Sequence, residues 1–201
     1  MGLDLARFAR LGHTPTQPPT ILIVARLVEI KGTDVVIDAL SYLRAPVRLV
    51  IAGDGPERAT LETRALELLA SGGSHTHATS AAGGGHSIEF LGGVDTARRD
   101  RLLCEATVVV VPSRVTPSGR TEGMPMIALE ALAAGVPVVA SAVGGLSELA
   151  PAAVLVRPDR PRELAAAIDQ TLSEPPDAQV LRAAVAHLDW ENVATRLVRN
   201  P

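Results

Sequence analysis

The chain has 201 residues, 47% hydrophobic and 20% charged, with 19 lysines and arginines against 22 acids for a net charge of −3. Such a make-up fits one ordinary globular domain and is short for two. It gives no electrostatic case for nucleic acid or an anionic membrane. The single Cys104 excludes an intrachain disulfide, and no apolar run approaches the roughly 20 residues of a membrane-spanning helix. The N-terminus MGLDLARFAR lacks an apolar signal core, so the expectation is a cytoplasmic protein.

The elements alternate along the chain. Strands are expected at Thr20–Ala25, Val47–Ala52, Ile88–Leu91, Thr107–Val111, Pro137–Ala140 and Ala153–Val156. Most read as continuous rather than alternating hydrophobics, the pattern of strands covered on both faces. Helices are expected at Thr33–Leu43, Pro56–Ala70, Thr96–Cys104, Pro125–Ala134, Gly145–Leu149 and Pro161–Leu172, with two more, Asp177–Leu188 and Trp190–Arg199, at the C-terminal end. Strand–helix alternation on this scale predicts an α/β fold: a doubly wound, parallel, Rossmann-like sheet. Ligands of such sheets bind beyond the carboxyl ends of the strands. Ser71–Ser87 stands apart as a Gly/Ser-rich flexible insertion. Its His75, His77 and His86 suggest a metal site only weakly, because flanking Gly and Ser fix no ligand geometry. Cys104 reads as a small buried hydrophobe rather than a nucleophile.

The most informative stretch is Thr121–Ser141, TEGMPMIALEALAAGVPVVAS. It sets Glu122 in a loop beside Gly123 and Pro125, and Glu130 inside an otherwise apolar helix. Pro125 suits the first helical position, because its missing N–H would have no intrahelical partner there. Glu130 then lies roughly 7.5 Å further along the helix, where burial demands a hydrogen-bonding partner. A loop carboxylate, a helix N-terminus and an inner carboxylate suit a molecule bearing both phosphate and hydroxyls, such as a nucleotide sugar.

Other loops add to this. Arg26 and Lys31 flank the first strand-to-helix turn, where they could meet a diphosphate; alone, Arg26 reads better as a partner of Glu29 and Lys31 as solvated surface, and it is the Glu122 loop that favours the diphosphate. Gly53-Asp54-Gly55-Pro56 lacks the third glycine of a dinucleotide fingerprint and reads as a turn with Pro56 opening a helix. Gly92-Gly93 could admit a planar base or simply end a strand. Arg114 and Arg120 read as solubilising a loop, and Gly144-Gly145 with Ser147 and Glu148 as a capped helix start.

The segments LVEIKG, VIAGDGPE, FLGGV, VVVPS, EGMPMIALEALAAGVPVVAS and VGGLSEL, in that order, make the chain resemble the donor-binding C-terminal domain of a GT-B retaining glycosyltransferase of family 4. The resemblance runs from Gly2 to about Trp190, and Glu122 with Glu130 satisfies the family's Glu-x7-Glu spacing. It implies a metal-independent hexosyltransferase of carbohydrate biosynthesis, with no cofactor beyond a UDP- or GDP-linked sugar as donor. Arg26 and Lys31 would bind the donor diphosphate. Glu122, the catalytic carboxylate, would hold the transferred sugar and stabilise charge at its anomeric carbon. Glu130 would take the ribose hydroxyls and Val94 would present backbone to the base. Backbone of Gly123, Met124, Pro125, Met126 and Ile127 would line sugar and phosphates.

Family members carry an earlier acceptor-binding domain that this sequence lacks. Residues 1–19 therefore read as an interdomain-linker-like segment, and 20–201 as the nucleotide-sugar-binding domain with the 71–87 insertion. A separate acceptor domain or self-association would complete the cleft, and peripheral attachment to a membrane stays open for a full-length enzyme. The rival readings are a non-catalytic nucleotide-sugar module, an inactive fragment and a nicotinamide oxidoreductase. The last is disfavoured because no Gly-x-Gly-x-x-Gly follows the first strand.

Overall fold

A computed structural model of the chain describes residues 2–71 and 85–190. Six strands, β1 (Thr20–Val24), β2 (Arg48–Ala52), β3 (Ser87–Gly92), β4 (Val108–Val111), β5 (Val138–Ser141) and β6 (Val154–Val156), form one sheet in the order β3-β2-β1-β4-β5-β6. Every strand pairing is parallel. The order reverses between β1 and β4, the point beyond whose carboxyl ends open α/β sheets bind their ligands.

Among the described residues seven α-helices cover the sheet: α1 (Leu5–Ala9), α2 (Thr33–Ala39), α3 (Arg58–Ser71), α4 (Thr96–Glu105), α5 (Met126–Ala134), α6 (Pro161–Ser173) and α7 (Ala178–Val185). The continuous apolar strands are explained by the two cores they serve. Ile21, Ile23, Val108 and Val110 pack with residues of α2, α3 and α6 on one face. Leu22, Val109 and Val111 pack with residues of α1, α4, α5 and α7 on the other. Successive residues of a strand point to opposite faces, so both sets must be apolar. All six expected strands are present within two residues of their expected bounds.

The helix starts depart from expectation in ways that have local causes. The expected Thr33–Leu43 helix is α-helical only to Ala39 and tightens to 3₁₀ over Leu40–Tyr42. Pro125 is not the first residue of α5 but its cap, with φ −65° and an extended ψ of 124°. Pro56 does not open α3 either: the Glu57 N–H donates to the Leu27 carbonyl at 3.0 Å, which holds residues 56–57 in a turn until Arg58. Gly144–Leu149 is 3₁₀ with no side-chain cap.

The expected 71–87 insertion is narrower than its composition implies. Ser71 ends α3 and Ser87 opens β3, while His86 accepts the Val47 N–H through Nδ1 at 3.3 Å. Burial lowers the His86 pKa, as suits a neutral ring with a structural role. His75 and His77 lie outside the described residues, as does most of the expected Trp190–Arg199 helix. Cys104 is half-buried in α4, and burial raises its thiol pKa, in keeping with a packing role.

The N-terminal segment is docked. Asp4 caps α1 by accepting the Arg7 N–H, and Phe8 is only 2% exposed within the core that α5 shares. Burying a Phe side chain is worth ~1.5–3 kcal/mol. Leu3 also bridges to Asp189, so the first and last described residues meet.

Candidate functional site

The segments that follow the strands lie at the carboxyl edge, and glycines set how closely some of them pack. A Cβ on Gly32 (φ +61°) would overlap the Pro112 carbonyl, bringing the β1–α2 loop against the end of β4. A Cβ on Gly144 (φ +49°) would overlap the Glu122 carbonyl, seating the β5 loop against the Glu122 loop. The Gly145 N–H lies 3.4 Å from that same carbonyl. Gly144-Gly145 opens the 3₁₀ turn Gly144–Leu149, as expected, without the side-chain cap read with it, and its close backbone approach also supports the carboxylate loop. Nothing crowds Gly93 or Gly123, whose surroundings are open.

Lys31 and Glu122 meet across this edge. Lys31 ends the 3₁₀ turn Glu29–Lys31, and its Nζ lies 2.5 Å from Glu122 Oε2. Ser113, fully buried after β4, donates to the same oxygen at 3.3 Å. Arg26 stands apart: it is exposed, and its guanidinium pairs with no side chain among the described residues, Glu29 included.

Glu130 lies in the second turn of α5 and is 6% exposed. The partner that burial demands is Arg99 of α4, whose Nη2 sits 3.2 Å from Oε1. The other oxygen, Oε2, has no partner among the described residues. Burial raises the Glu130 pKa, Arg99 and Arg7 oppose the rise, and Asp100 adds to it. Arg7 in turn forks onto Asp100 at 2.7–3.1 Å, so α1, α4 and the inner carboxylate form one charge network. The N-terminal N–H groups of α5, Met126 and Ile127 among them, lack intrahelical acceptors and sit beside the Glu122 loop with no side-chain cap.

The remaining expected residues divide. Val94 is half-buried against the core at the β3–α4 turn, placing its backbone at the edge. The Met124 side chain instead lines an apolar cavity of about 710 Å³ with Leu129, Leu132, Leu149 and Val185. That cavity has no lysine or arginine in its lining, so it does not suit a phosphate.

Sequence reasoning missed Arg99, Ser113 and Arg114. For Arg99 a signal existed: with Leu102 and Leu103 it is spaced i, i+3, i+4, which puts it on the buried face of α4. Arg114 was read as solubilising a loop, and this is corrected. Its side chain is 17% exposed, its Nη2 donates to both Asp34 oxygens at 2.8 Å, and its Nε lies 2.8 Å from Asp159 Oδ1.

A parallel sheet of this order, with cations, carboxylates and a helix N-terminus gathered at its switch point, is a Rossmann-like domain. A family model, glycosyl transferases group 1, matches residues 18–174, and the chain belongs to that family. It is 34% identical over 206 aligned positions to a glycogen synthase of Mycobacterium tuberculosis, covering 96% of this chain and 45% of that protein. It is 37% identical over 159 positions to an uncharacterized glycosyltransferase of Methanocaldococcus jannaschii, covering 77% and 36%. The fold matches Anabaena HepE, solved with UDP and glucose, at a TM-score of 0.74 and 21% identity over 98% of this chain and 54% of HepE. The chain thus spans less than half the length of these two curated relatives.

Proposed function

We propose that the chain is the donor-binding, C-terminal half of a GT-B retaining glycosyltransferase of family 4, and that it holds a UDP- or GDP-linked sugar. The observation that carries this reading is the Lys31–Glu122 contact at the uncapped N-terminus of α5, with the inner carboxylate of Glu130 behind it. A phosphate-seeking cation and a hydroxyl-seeking carboxylate stand side by side, as a molecule joining diphosphate to sugar requires. HepE, which holds UDP and glucose on the same fold, supports the reading.

In this account Lys31 and Arg26 take the diphosphate, Lys31 as a point charge and Arg26 as a fork. The α5 N–H groups add their dipole, so the charge developing on the departing diphosphate is offset without a metal. Backbone of Gly123 and Met124 lines the sugar. Glu122 accepts its hydroxyls and stabilises the cationic anomeric carbon. Glu130 uses Oε2, the oxygen Arg99 leaves without a partner, to accept a ribose hydroxyl, and Val94 presents backbone to the base. Retention follows if the acceptor attacks from the face the diphosphate leaves. The C–O bond to phosphate breaks, the bond to the acceptor oxygen forms, and the acceptor proton passes to the leaving phosphate. No protein nucleophile enters. The acceptor site belongs to the portion of the relatives that this chain does not span.

Calorimetric titration of the 201-residue chain with UDP, GDP and ADP in the presence of a chelator tests the reading. Saturable binding of one of them, unchanged by the chelator, is expected. A folded chain that binds none contradicts it.

A further inference from the structure

Arg114 is the most heavily tied cation at the carboxyl edge, and it touches none of the groups assigned to the donor. Its backbone N–H donates to the Ile30 carbonyl at 2.9 Å, one residue before Lys31. Its Nη2 forks onto Asp34 at 2.8 Å to each oxygen, three residues after Lys31. The Lys31 turn is thus held on both sides by one residue. Arg114 also follows Ser113, which donates to Glu122, and Pro112, whose carbonyl packs against Gly32. A third tie runs from its Nε to Asp159 Oδ1 at 2.8 Å. Asp159 has a φ of +55°, a conformation that costs a non-glycine residue free energy. The β1–α2 loop, the β4–α5 loop and the turn after β6 are therefore joined at one planar, permanently charged group.

We propose that Arg114 is a positioning residue for the donor site: it fixes Lys31 against Glu122 before the donor arrives, and it does so without touching the donor. The proposal rests on the donor-site reading above and goes beyond it by assigning the residue that pre-sets the distance from phosphate-binding cation to sugar-binding carboxylate. A guanidinium with Nη2 on Asp34, Nε paired with Asp159 and a backbone tie suits that task, because its rigid planar group fixes the directions of its donors as a single flexible ammonium would not. Loosening it lets Lys31 swing away from the position of the diphosphate, and displacement of a binding group by about 1 Å can cost on the order of a hundredfold.

The test is ligand-observed NMR titration with UDP, GDP and ADP, which reads millimolar as well as micromolar affinities, on the wild type, Arg114→Met, Arg114→Lys, Lys31→Ala and the Lys31→Ala/Arg114→Met double variant. Circular dichroism melting establishes which are folded. For the nucleotide the wild type binds best, Arg114→Met is expected to weaken binding about tenfold or more, and Arg114→Lys to recover only part of the loss. In the Lys31→Ala background the same substitution is expected to cost less than about twofold, because Arg114 acts through Lys31. If Arg114→Met unfolds the chain, Asp34→Asn loosens the same fork from its more exposed end and replaces it in both backgrounds. Unchanged affinity in the Arg114 and Asp34 variants overturns the proposal, as does a loss that persists in full without Lys31. A folded wild type that binds no nucleotide instead overturns the donor-site reading, and the proposal falls with it.

Discussion

Lys31 Nζ lies 2.5 Å from Glu122 Oε2, so the cation proposed for the diphosphate and the carboxylate proposed for the sugar neutralise one another. Both side chains are mostly buried, so the contact is shielded more than a surface ion pair. A diphosphate must compete with Glu122 for the ammonium. Glu122→Gln is therefore expected to tighten binding of the bare nucleoside diphosphate by about three- to tenfold, the range of one charge-assisted hydrogen bond partly relieved. Lys31→Met is expected to weaken it more than about tenfold. Calorimetry on both variants checks the pair; equal affinity in Glu122→Gln and wild type would show that the contact does not compete.

Glu130 carries a pH signature whose sign can be worked out. Burial raises its folded-state pKa above the unfolded carboxylate value of ~4.3. The folded chain then holds the proton more tightly than the unfolded one. The group's contribution to stability falls as pH rises from the ordinary value through the raised one, and is level beyond. Glu130→Gln removes that slope, so its stability relative to wild type should grow across the same window. Nucleotide affinity should run the other way and rise with pH, because the ionised carboxylate is the better acceptor for ribose hydroxyls. Denaturant melts and titrations between about pH 4 and 7 check both signs; parallel melts of the two proteins across that range would remove the assignment.

Gly144→Ala tests the seat under the Glu122 loop. The added methyl would overlap the Glu122 carbonyl, and φ at +49° is strained for alanine. A loss of about 1–3 kcal/mol is expected, accompanied by loss of nucleotide binding as the carboxylate loop shifts. Thermal melting with a parallel titration would show whether the two losses occur together.

Arg26 offers a contrasting substitution. It is exposed and forms no ion pair among the described residues, so Arg26→Ala should leave the melting temperature within the scatter of surface substitutions, about ±0.5 kcal/mol. Nucleotide binding should nevertheless weaken, and its salt dependence should flatten. A melting change without a binding change would place Arg26 outside the site.

The fold was legible because most strands are continuous apolar runs flanked by turn residues, and two-sided burial leaves that mark on four or five consecutive positions, as in Thr20–Val24 and Val108–Val111. Glu130 stood out for a different reason, as a charge inside an otherwise apolar helix, while Glu122 and Lys31 stood out only through the combination of loop motifs around them. Their partners were not legible. Arg114 finds Asp34 across 80 positions of sequence, and Arg99 finds Glu130 from another helix. No local pattern encodes such pairings. The glycines are half-legible in the same way: Gly144-Gly145 opens a 3₁₀ turn, as its sequence suggests, but its backbone contact with the Glu122 loop leaves no local mark. The one-residue shift of α5 is smaller but similar, because the φ of Pro125 suits a cap as well as a first turn, and its ψ decides.

The central claim is a place for each part of the donor, and a crystal structure of the 201-residue chain with the nucleoside diphosphate it binds best tests it most directly. The account predicts the diphosphate within hydrogen-bonding distance of Lys31 and Arg26 at the N-terminus of α5, with ribose hydroxyls on Glu130 and the base beside Val94. A nucleotide bound with its ribose away from Glu130, or its diphosphate away from Lys31, would contradict it.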